Sequence, residues 1–199
     1  MALMNKFHEF LRTRRSIRRF KPDPVPASVM DRILSTATFA PSAHNLQPWR
    51  FVHIQSAEAK TKLGSALTEK MQGDMAAENA DPAQITKRIE ISLRRIAEDP
   101  FIILLCRDET AVRKKDDPEE HHMSIQSVAL AGLQLMLAAH AEGLGANWIC
   151  WALYAQEETR TALDLPKSWQ PEAMIFLGYP NEAPKEKELH PLGDVIRHL

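Results

Sequence analysis

The feature that most constrains the fold is a long apolar segment near the middle of the chain, PEEHHMSIQSVALAGLQLMLAAHAE, which begins at Pro118. A proline followed by two glutamates suits the first turn of a helix, and Gly143 suits its end. From Val128 to Ala141 the predicted helix is apolar on nearly every side. A helix without a polar face must be covered on all sides, and a chain of 199 residues has few elements to do this. The pattern indicates that a second subunit covers one face.

The remaining patterns predict one α+β domain, residues 1–199, with a central mixed sheet of four to five strands flanked by helices. Strands are predicted over residues 49–55, FIILLC, GANWICWAL and EAMIFLGY. Besides the helix from Pro118, helices are predicted over residues 5–13, over a segment capped by Ser28, and over EETRTALDL. The segment 56–99 is predicted to contain two or three further helices. The run FIILLC is apolar throughout, as expected of a strand covered on both faces. The sequence leaves open whether part of 56–99 is a mobile lid. The polar, proline-broken tail after Pro180 either hangs free or lies over a partner chain.

Composition and charge exclude several classes of protein. The chain has 25 basic and 26 acidic residues, a balance that argues against a general nucleic-acid binder. No uninterrupted apolar run approaches the roughly 18 residues that a membrane span needs, and the N-terminus carries charges where a signal peptide is apolar. Cys106 and Cys150 lie in apolar runs and match no zinc or redox spacing, so both are predicted to be reduced core residues. We expect a cytoplasmic protein with no nucleic-acid, membrane or metal partner.

A cluster of arginines stands out against this neutral background, in the segment RTRRSIRRF from Arg12 to Phe20. Three interpretations are open: a nucleic-acid-binding arm, a solvated basic surface, or a site for the phosphate of a small ligand. Ile17 and Phe20 interleave with the arginines and favour an ordered segment. Guanidinium groups on an ordered segment can hold a phosphate bidentately. No glycine-rich nucleotide loop or catalytic triad motif is present, so an enzyme of this sequence would take its reactive group from a cofactor.

The loop APSAHNLQPW is the second candidate for a binding role. Its small residues, Ser42 and Ala43 among them, leave the backbone accessible to a flat ligand. His44, Asn45 and Gln47 carry polar groups that could reach the edge of such a ligand. The alternative is a plain connection between a helix and a strand.

Together these stretches resemble the nitroreductase family of FMN-dependent oxidoreductases. The family has an RRSxRxF segment, here residues 14–20, and about 25 residues later a PSxxNxQPWxF segment, here residues 41–51. Its third signature, a long apolar helix ending in AAxxxGLGxxW, corresponds to AAHAEGLGANW, residues 138–148. The resemblance implies a homodimer with FMN at the subunit interface. It also explains the helix that is apolar all round, as the dimer core, and the open tail, which would extend over the partner subunit.

The resemblance also assigns roles by position. Arg14 would hold the FMN phosphate, with Arg15 and Ser16 on the phosphate or the ribityl chain, and Arg18 would face the pyrimidine edge of the ring, where a cation stabilises growing negative charge. The other implied cofactor-binding residues are Pro41, Ser42, Ala43, Asn45 and Gln47 of the loop, Ile149, Cys150 and Trp151 at the end of a strand, and Lys185 and Lys187 of the tail. His44 and Trp151 are the implied substrate contacts.

The implied activity is hydride transfer in a ping-pong cycle, from NADH or NADPH through FMN to an electron-poor acceptor such as a nitroaromatic or a quinone. No side chain need act as an obligatory acid or base. The C-terminal half further resembles the flavin-binding domain of the deazaflavin-coenzyme γ-glutamyl ligase. That second resemblance keeps open a reductase for a specific unsaturated or deazaflavin-type metabolite. A flavin-binding protein without catalytic activity is a further alternative.

Overall fold

The computed structural model describes residues 2–199, and the side chains from residue 5 onward. In chain order the elements are α1 (Ala2–Thr13), α2 (Ala27–Ala37), β1 (Trp49–Ile54), α3 (Ala57–Ala77), α4 (Pro82–Glu98), β2 (Phe101–Asp108), α5 (Pro118–Ala141), β3 (Gly145–Ile149), α6 (Trp151–Tyr154), α7 (Gln156–Ala162), β4 (Trp169–Gly178) and α8 (Leu192–Val195). A short 3₁₀ turn, Ala43–Asn45, precedes β1. The predicted α+β class is confirmed.

The four strands form one sheet in the order β1-β2-β4-β3, and every neighbouring pair of strands is antiparallel. The predicted mixed sheet is therefore wrong for these strands. The reason lies in the connection between β1 and β2, which is a hairpin of the two helices α3 and α4. This hairpin returns the chain to the end of the sheet that it left. A parallel pairing occurs at an isolated bridge between Ser16 and Ala146, on the outer edge of β3.

Strand β2 lies at the centre of the molecule and is buried at all eight positions. Alternate side chains of a strand point to opposite faces of the sheet. Ile103 and Leu105 therefore pack on the side covered by α2 and α5. Ile102 and Leu104 pack on the side covered by α3, α4, α6 and α7. The prediction of a central strand covered on both faces is confirmed.

Helix α5 is covered on one side only within a single chain. Leu135 is fully buried against the sheet, whereas Leu130 and Leu133 on the opposite side are 42% and 43% exposed. By length and composition alone α5 is apolar enough to cross a membrane, a test that the core helix of a soluble protein also passes. In this fold α5 packs against α2 and the sheet, as a core helix does.

Three boundaries differ from the sequence predictions. Pro26, rather than Ser28, precedes α2, because the Pro26 carbonyl accepts the first backbone hydrogen bonds of the helix and Ser28 falls inside the first turn. The strand predicted over GANWICWAL ends at Ile149, because the backbone of Cys150 leaves the extended region (φ −92°, ψ 15°) and α6 follows. The segment 56–99 contains two helices, and α3 continues to Ala77, halfway through the stretch QGDMAAENADPA, which has no strong helical periodicity.

Candidate functional site

The arginine segment lies along the outer edge of β3 as an extended chain. The backbone N–H of Ile17 donates to the Ala146 carbonyl at 3.0 Å, and Phe20 pairs with Pro180. The close approach depends on Gly145, where an added Cβ would lie 2.6 Å from the Cβ of Ile17. The segment is thus ordered and fixed by buried side chains, as the interleaved Ile17 and Phe20 predict.

Arg14 and Arg15 differ in what they contact. Arg15 donates from its guanidinium to the carbonyls of Arg12 and Arg14, and so closes the C-terminal end of α1. The Arg14 guanidinium donates to none of the described residues. Arg14 lines a concavity of about 220 Å³ beside the C-terminal end of α5, together with Thr13, His140 and Gly145 among others. Arg14 is therefore available to bind an anion, and Arg15 is committed in part to the chain itself.

Arg18 faces a second cation that the sequence analysis did not single out, Arg95 of α4. The Nε and Nη2 atoms of Arg95 are buried without a hydrogen-bond partner among the described residues. The guanidinium lies 5.6 Å from the Trp151 ring and 5.4 Å from the Phe176 ring. Burial lowers the pKa of Arg95, and the positive charge of Arg18 lowers it further. The unsatisfied buried donors of Arg95, together with the nearby charge of Arg18, favour a bound anionic group.

Two carboxylates lie close to this cation pair: Glu182, which accepts from the Arg18 backbone N–H, and Asp99, one turn beyond Arg95. The Asp99 Oδ2 atom is buried without a partner among the described residues, and burial raises the pKa of Asp99 to about 6. Arg95 and Lys60 oppose that rise by smaller amounts. The Lys60 ammonium donates to the Asp99 backbone carbonyl at 2.7 Å. Near neutral pH Asp99 is therefore mostly ionised, and its negative charge is lost as the pH falls through about 6.

The loop before β1 has an unusual backbone. His44, Asn45 and Gln47 all have positive φ angles, of 53°, 56° and 49°. Left-handed backbone is costly for residues other than glycine and persists where the surroundings hold it in place. Here the Ser42 hydroxyl accepts from the Gln47 backbone N–H at 3.1 Å, and the Ser127 hydroxyl of α5 accepts from the Ala43 N–H at 3.1 Å.

The polar side chains of this loop are exposed. The Gln47 amide donates to the Asn45 carbonyl oxygen at 3.2 Å, and His44 Nε2 lies 3.4 Å from a carboxylate oxygen of Glu120. Pro41 is exposed beside them. The loop therefore presents a fixed polar surface above the N-terminal half of α5, as a ligand-binding loop does.

The residues that follow β3 have different surroundings from those predicted. Ile149 is buried, but Cys150 is exposed and accepts from the Trp148 indole N–H at 3.2 Å. The prediction of a core cysteine is wrong for Cys150, because the chain turns outward there to begin α6. It is correct for Cys106, whose burial raises the pKa of the thiol to about 12. Trp151, the first residue of α6, is half-buried, and its ring lies beside the Arg95 guanidinium.

The predicted tail residues do not join the site in a single chain. Lys185 and Lys187 are both exposed and donate to none of the described residues. Pro184, which precedes Lys185, lines the concavity beside Arg14. The beginning of the tail is therefore close to the predicted phosphate position.

Within one chain the two predicted halves of the site are far apart. The loop is held at Ser127, whereas Arg14 lies beside His140 at the other end of the same helix. At a rise of 1.5 Å per residue, these positions of α5 are about 20 Å apart. One chain therefore does not bring the loop and the arginines together.

Solved structures share this fold, and sequence relatives align with it over most of the chain. A nitroreductase from Desulfovibrio desulfuricans, solved in complex with FMN, superposes with a TM-score of 0.74 at 25% identity, over 96% of this chain and 95% of its own. A BluB-like flavoprotein from Clostridium difficile 630 has the same fold, with a TM-score of 0.79 at 21% identity over 97% and 98% of the two chains. A Bacillus subtilis protein named as an NAD(P)H nitroreductase, YfhC, is 30% identical over 189 residues, 94% of this chain and 90% of its own length.

The fold and these relatives define an oxidoreductase. Residues 11–179 match the nitroreductase family, and the chain belongs to that family. The predicted resemblance is thereby confirmed, and so is the nitroreductase-like fold. The matched range contains all three sequence signatures, whereas Lys185 and Lys187 lie beyond it.

Proposed function

We propose that the chain is an FMN-dependent oxidoreductase, a single cytoplasmic domain that works as a homodimer. It would take electrons from NADH or NADPH and pass them to an electron-poor acceptor such as a nitroaromatic or a quinone. The observation that carries this proposal is a set of guanidinium groups with donors that meet no partner in the part of the chain that the structure describes. Arg14 lies at one end of the segment beside β3, and Arg18, with Arg95 of α4 near it, lies at the other.

These residues suit FMN because they place positive charge at two separate positions along one extended segment. One position would face the phosphate, and the other would face the ring, which becomes anionic on reduction. Arg14 would bind the phosphate, with Ser16 supplying a hydroxyl to the phosphate or the ribityl chain. Four residues of extended chain, about 13 Å, separate Arg14 from Arg18. Arg18 and Arg95 would then face the edge of the ring that gains negative charge on reduction. Arg15 lines the same concavity, and because only its Nη1 donates to the carbonyls of Arg12 and Arg14, its other donors would be available to the phosphate or the ribityl chain.

FMN would supply the redox chemistry by accepting a hydride from the nicotinamide and returning two electrons to the acceptor. The chain's own residues would bind, orient and polarise the reactants. Cations near the ring would stabilise its reduced, anionic form without proton transfer, and the effect of Arg95 would be the larger because Trp151 and Phe176 partly shield its guanidinium from water. Ile149, Cys150 and Trp151 would present backbone groups to the ring.

A two-fold dimer through α5 would complete the site. The midpoint between Ser127 and His140 falls beside Leu133, which is exposed on the open face of α5. If two α5 helices cross antiparallel at this point, position 127 of one lies opposite position 140 of the other. The loop of one subunit would then reach the Arg14 concavity of its partner. Pro41, Ser42, Ala43, Asn45 and Gln47 would line the flavin across the interface, and His44 and Trp151 would contact the substrate.

The direct test is the absorption spectrum of the purified protein, together with mass analysis of any released chromophore. We expect a flavin spectrum, FMN as the chromophore, and bleaching by NADH or NADPH under anaerobic conditions with recovery on addition of a quinone. A colourless protein that takes up no FMN on titration would overturn the proposal. Tight FMN binding without reduction by either nicotinamide would instead identify a flavin-binding protein without this activity.

A second candidate function comes from one relative. A 5,6-dimethylbenzimidazole synthase of Rhodospirillum rubrum is 30% identical over 186 residues, 90% of this chain and 84% of its own length. Formation of 5,6-dimethylbenzimidazole, without turnover of quinones or nitroaromatics, would favour this function. Turnover of a single unsaturated or deazaflavin-type metabolite, with neither of those activities, would favour the specific reductase that the second resemblance implies.

A further inference from the structure

A cavity of about 420 Å³ lies between the C-terminal half of α3, the short helix α6 and Arg88 of α4. We propose that it binds the aromatic ring of the electron acceptor, as a flat, uncharged molecule of the size of a naphthoquinone. The assignment to the acceptor rests on the proposed FMN-dependent function, but the binding of an aromatic ring by the cavity does not. The cavity is of the volume that binds small molecules in other proteins.

The walls of the cavity suit a flat ring. Trp151 and Tyr154, three residues apart, form one wall, and Tyr154 is 74% exposed. Met71 and Met75 face them from α3, and Leu67 is buried at the base. Aromatic faces and polarisable methionine sulfur both bind aromatic rings favourably. A large aromatic side chain left open to solvent beside apolar neighbours is a mark of a binding surface.

The charges at the rim balance. Lys70 and Asp74 form an ion pair with each other, and Arg88 and Glu78 add one charge of each sign. Two cations against two carboxylates give the rim no net charge, so it neither attracts nor repels an ionic acceptor strongly. This arrangement favours an uncharged aromatic ligand over an anionic one.

Trp151 connects this cavity to the proposed flavin site. Its ring has the Arg95 guanidinium on one side and packs edge-on against Phe176, with ring centroids 6.3 Å apart. Arg95 in turn lies within the electrostatic influence of Arg18. The indole is therefore held in place before any ligand binds, and it forms a wall shared by the cavity and the cation pair. A ring bound in the cavity would contact the same indole that contacts Arg95 of the proposed flavin site.

The test measures binding and turnover separately, with 2-methyl-1,4-naphthoquinone as the ring-shaped probe and ferricyanide as a small acceptor without a ring. Binding of the quinone to the purified protein is followed by calorimetry. We expect Tyr154→Ala to raise the Kd of the quinone about three- to tenfold, which corresponds to the loss of one contact between aromatic rings. The KM for the quinone should rise in parallel, with the KM for ferricyanide and the FMN content unchanged.

Two matched pairs of variants control for structural damage. Leu153→Ala alters an exposed neighbour in α6 that does not line the cavity, and it should leave quinone binding unchanged. Met75→Trp should fill the cavity and weaken quinone binding, whereas Gln72→Trp, on the exposed side of α3, should not. Quinone binding that is equal in Tyr154→Ala, Met75→Trp and the parent protein would overturn the proposal, as would an equal loss in Leu153→Ala.

The same experiment separates this inference from the proposed function. Quinone binding that depends on Tyr154 in a protein that takes up no FMN would support the cavity and overturn the proposed function. A protein that reduces its FMN with NADH or NADPH, but whose quinone binding does not depend on Tyr154 or Met75, would support the function and overturn the cavity.

Discussion

Individual arginines in the segment from Arg12 to Arg19 have different surroundings, although the sequence presents them as one cluster. Arg14 has no partner among the described residues, Arg15 closes α1, and Arg18 faces Arg95. Variants of these residues should therefore have different effects on the cofactor.

For Arg14→Ala, we expect FMN to bind about ten- to a hundredfold more weakly, because a hydrogen bond to a charged group contributes about 1.5–3 kcal/mol. Arg19→Ala is the matched control, since Arg19 is an exposed arginine of the same segment. The Kd is measured by titrating FMN into protein from which the flavin has been removed. An equal Kd in the two variants would show that the phosphate lies elsewhere.

For Arg18→Ala, the expected defect is in the reaction rather than in retention of the cofactor. Removal of a cation from the ring edge disfavours the reduced flavin, so hydride uptake from NADH or NADPH should slow while most FMN stays bound. The measurement is the rate of flavin bleaching in a stopped-flow instrument. A parental rate in Arg18→Ala, together with normal FMN content, would contradict this assignment.

Asp99 gives a prediction about pH. Its pKa in the folded protein is about 6, against an ordinary value of 3.8, so the native state holds the proton more tightly than the unfolded chain does. The stabilisation that this provides is complete below about pH 4 and is lost as the pH rises through about 6. Asp99→Asn should remove that dependence. Relative to the parent, its free energy of unfolding should increase by up to about 3 kcal/mol as the pH is raised from 4 to 8. Urea unfolding at both pH values measures the difference, with the exposed neighbour change Glu98→Gln as control.

At the scale of helices and strands, long apolar runs in the sequence predict the most deeply buried elements correctly. The run FIILLC and the segment from Pro118 become the central strand and the core helix. In α4, the sequence places Ile85, Ile89, Leu93 and Ile96 at helical spacing, but the buried face of the helix does not follow this stripe throughout. Leu93 is 40% exposed, and Ser92 is buried in its place.

Because the buried face of α4 passes through Ser92 rather than Leu93, the apolar pattern gave no indication that Arg95 belongs to that face. Arg95 and Asp99 lie three and seven residues after Ser92, so they share its inward face. A polar residue at a buried helical position was the available signal for this pair. The direction of the strands could not be predicted in the same way, because it depends on how the hairpin of α3 and α4 returns the chain. The contacts of the loop with Ser127 are likewise non-local.

The exposed face of helix α5 leads to a prediction about dimerisation. In the proposed dimer, the carboxylate introduced by Leu133→Glu would be buried and unpaired, at a cost of at least about 3 kcal/mol. This substitution should therefore weaken dimerisation roughly a hundredfold. Analytical ultracentrifugation measures the dissociation constant, and the FMN content should fall with the loss of dimer. Ile91→Glu, at a position of α4 with a similar exposure of 38%, should leave the dimer intact. A monomeric parent protein that retains FMN would contradict the proposed interface.

At the scale of the whole molecule, the exposed apolar residues concentrate in the tail. Leu189, Leu192 and Val195 are 74%, 70% and 64% exposed, far more than a folded chain usually leaves open in one short segment. The sequence leaves open whether the tail hangs free or lies over a partner chain. Since the beginning of the tail lies beside the Arg14 concavity, the rest would extend over the partner subunit in the proposed dimer.

Removal of residues 188–199 tests this role of the tail. We expect unchanged helix and strand content, weaker dimerisation and a Tm lower by at least about 5 °C, because a few apolar side chains lose their cover. Circular dichroism and ultracentrifugation provide the measurements. The double change Leu192→Ser and Val195→Ser should reproduce part of the effect, and His198→Ala should not. A truncated protein with parental Tm and dimer affinity would show that the tail hangs free.

The separation of about 20 Å between loop and arginines along α5 has a genetic consequence in the proposed dimer. Each of the two sites would combine the loop of one subunit with the arginines of the other. A chain defective in the loop and a chain defective at Arg14, each inactive alone, would therefore form mixed dimers in which one site carries both defects and the other carries none. Two harmful alleles of this gene would complement each other when expressed together.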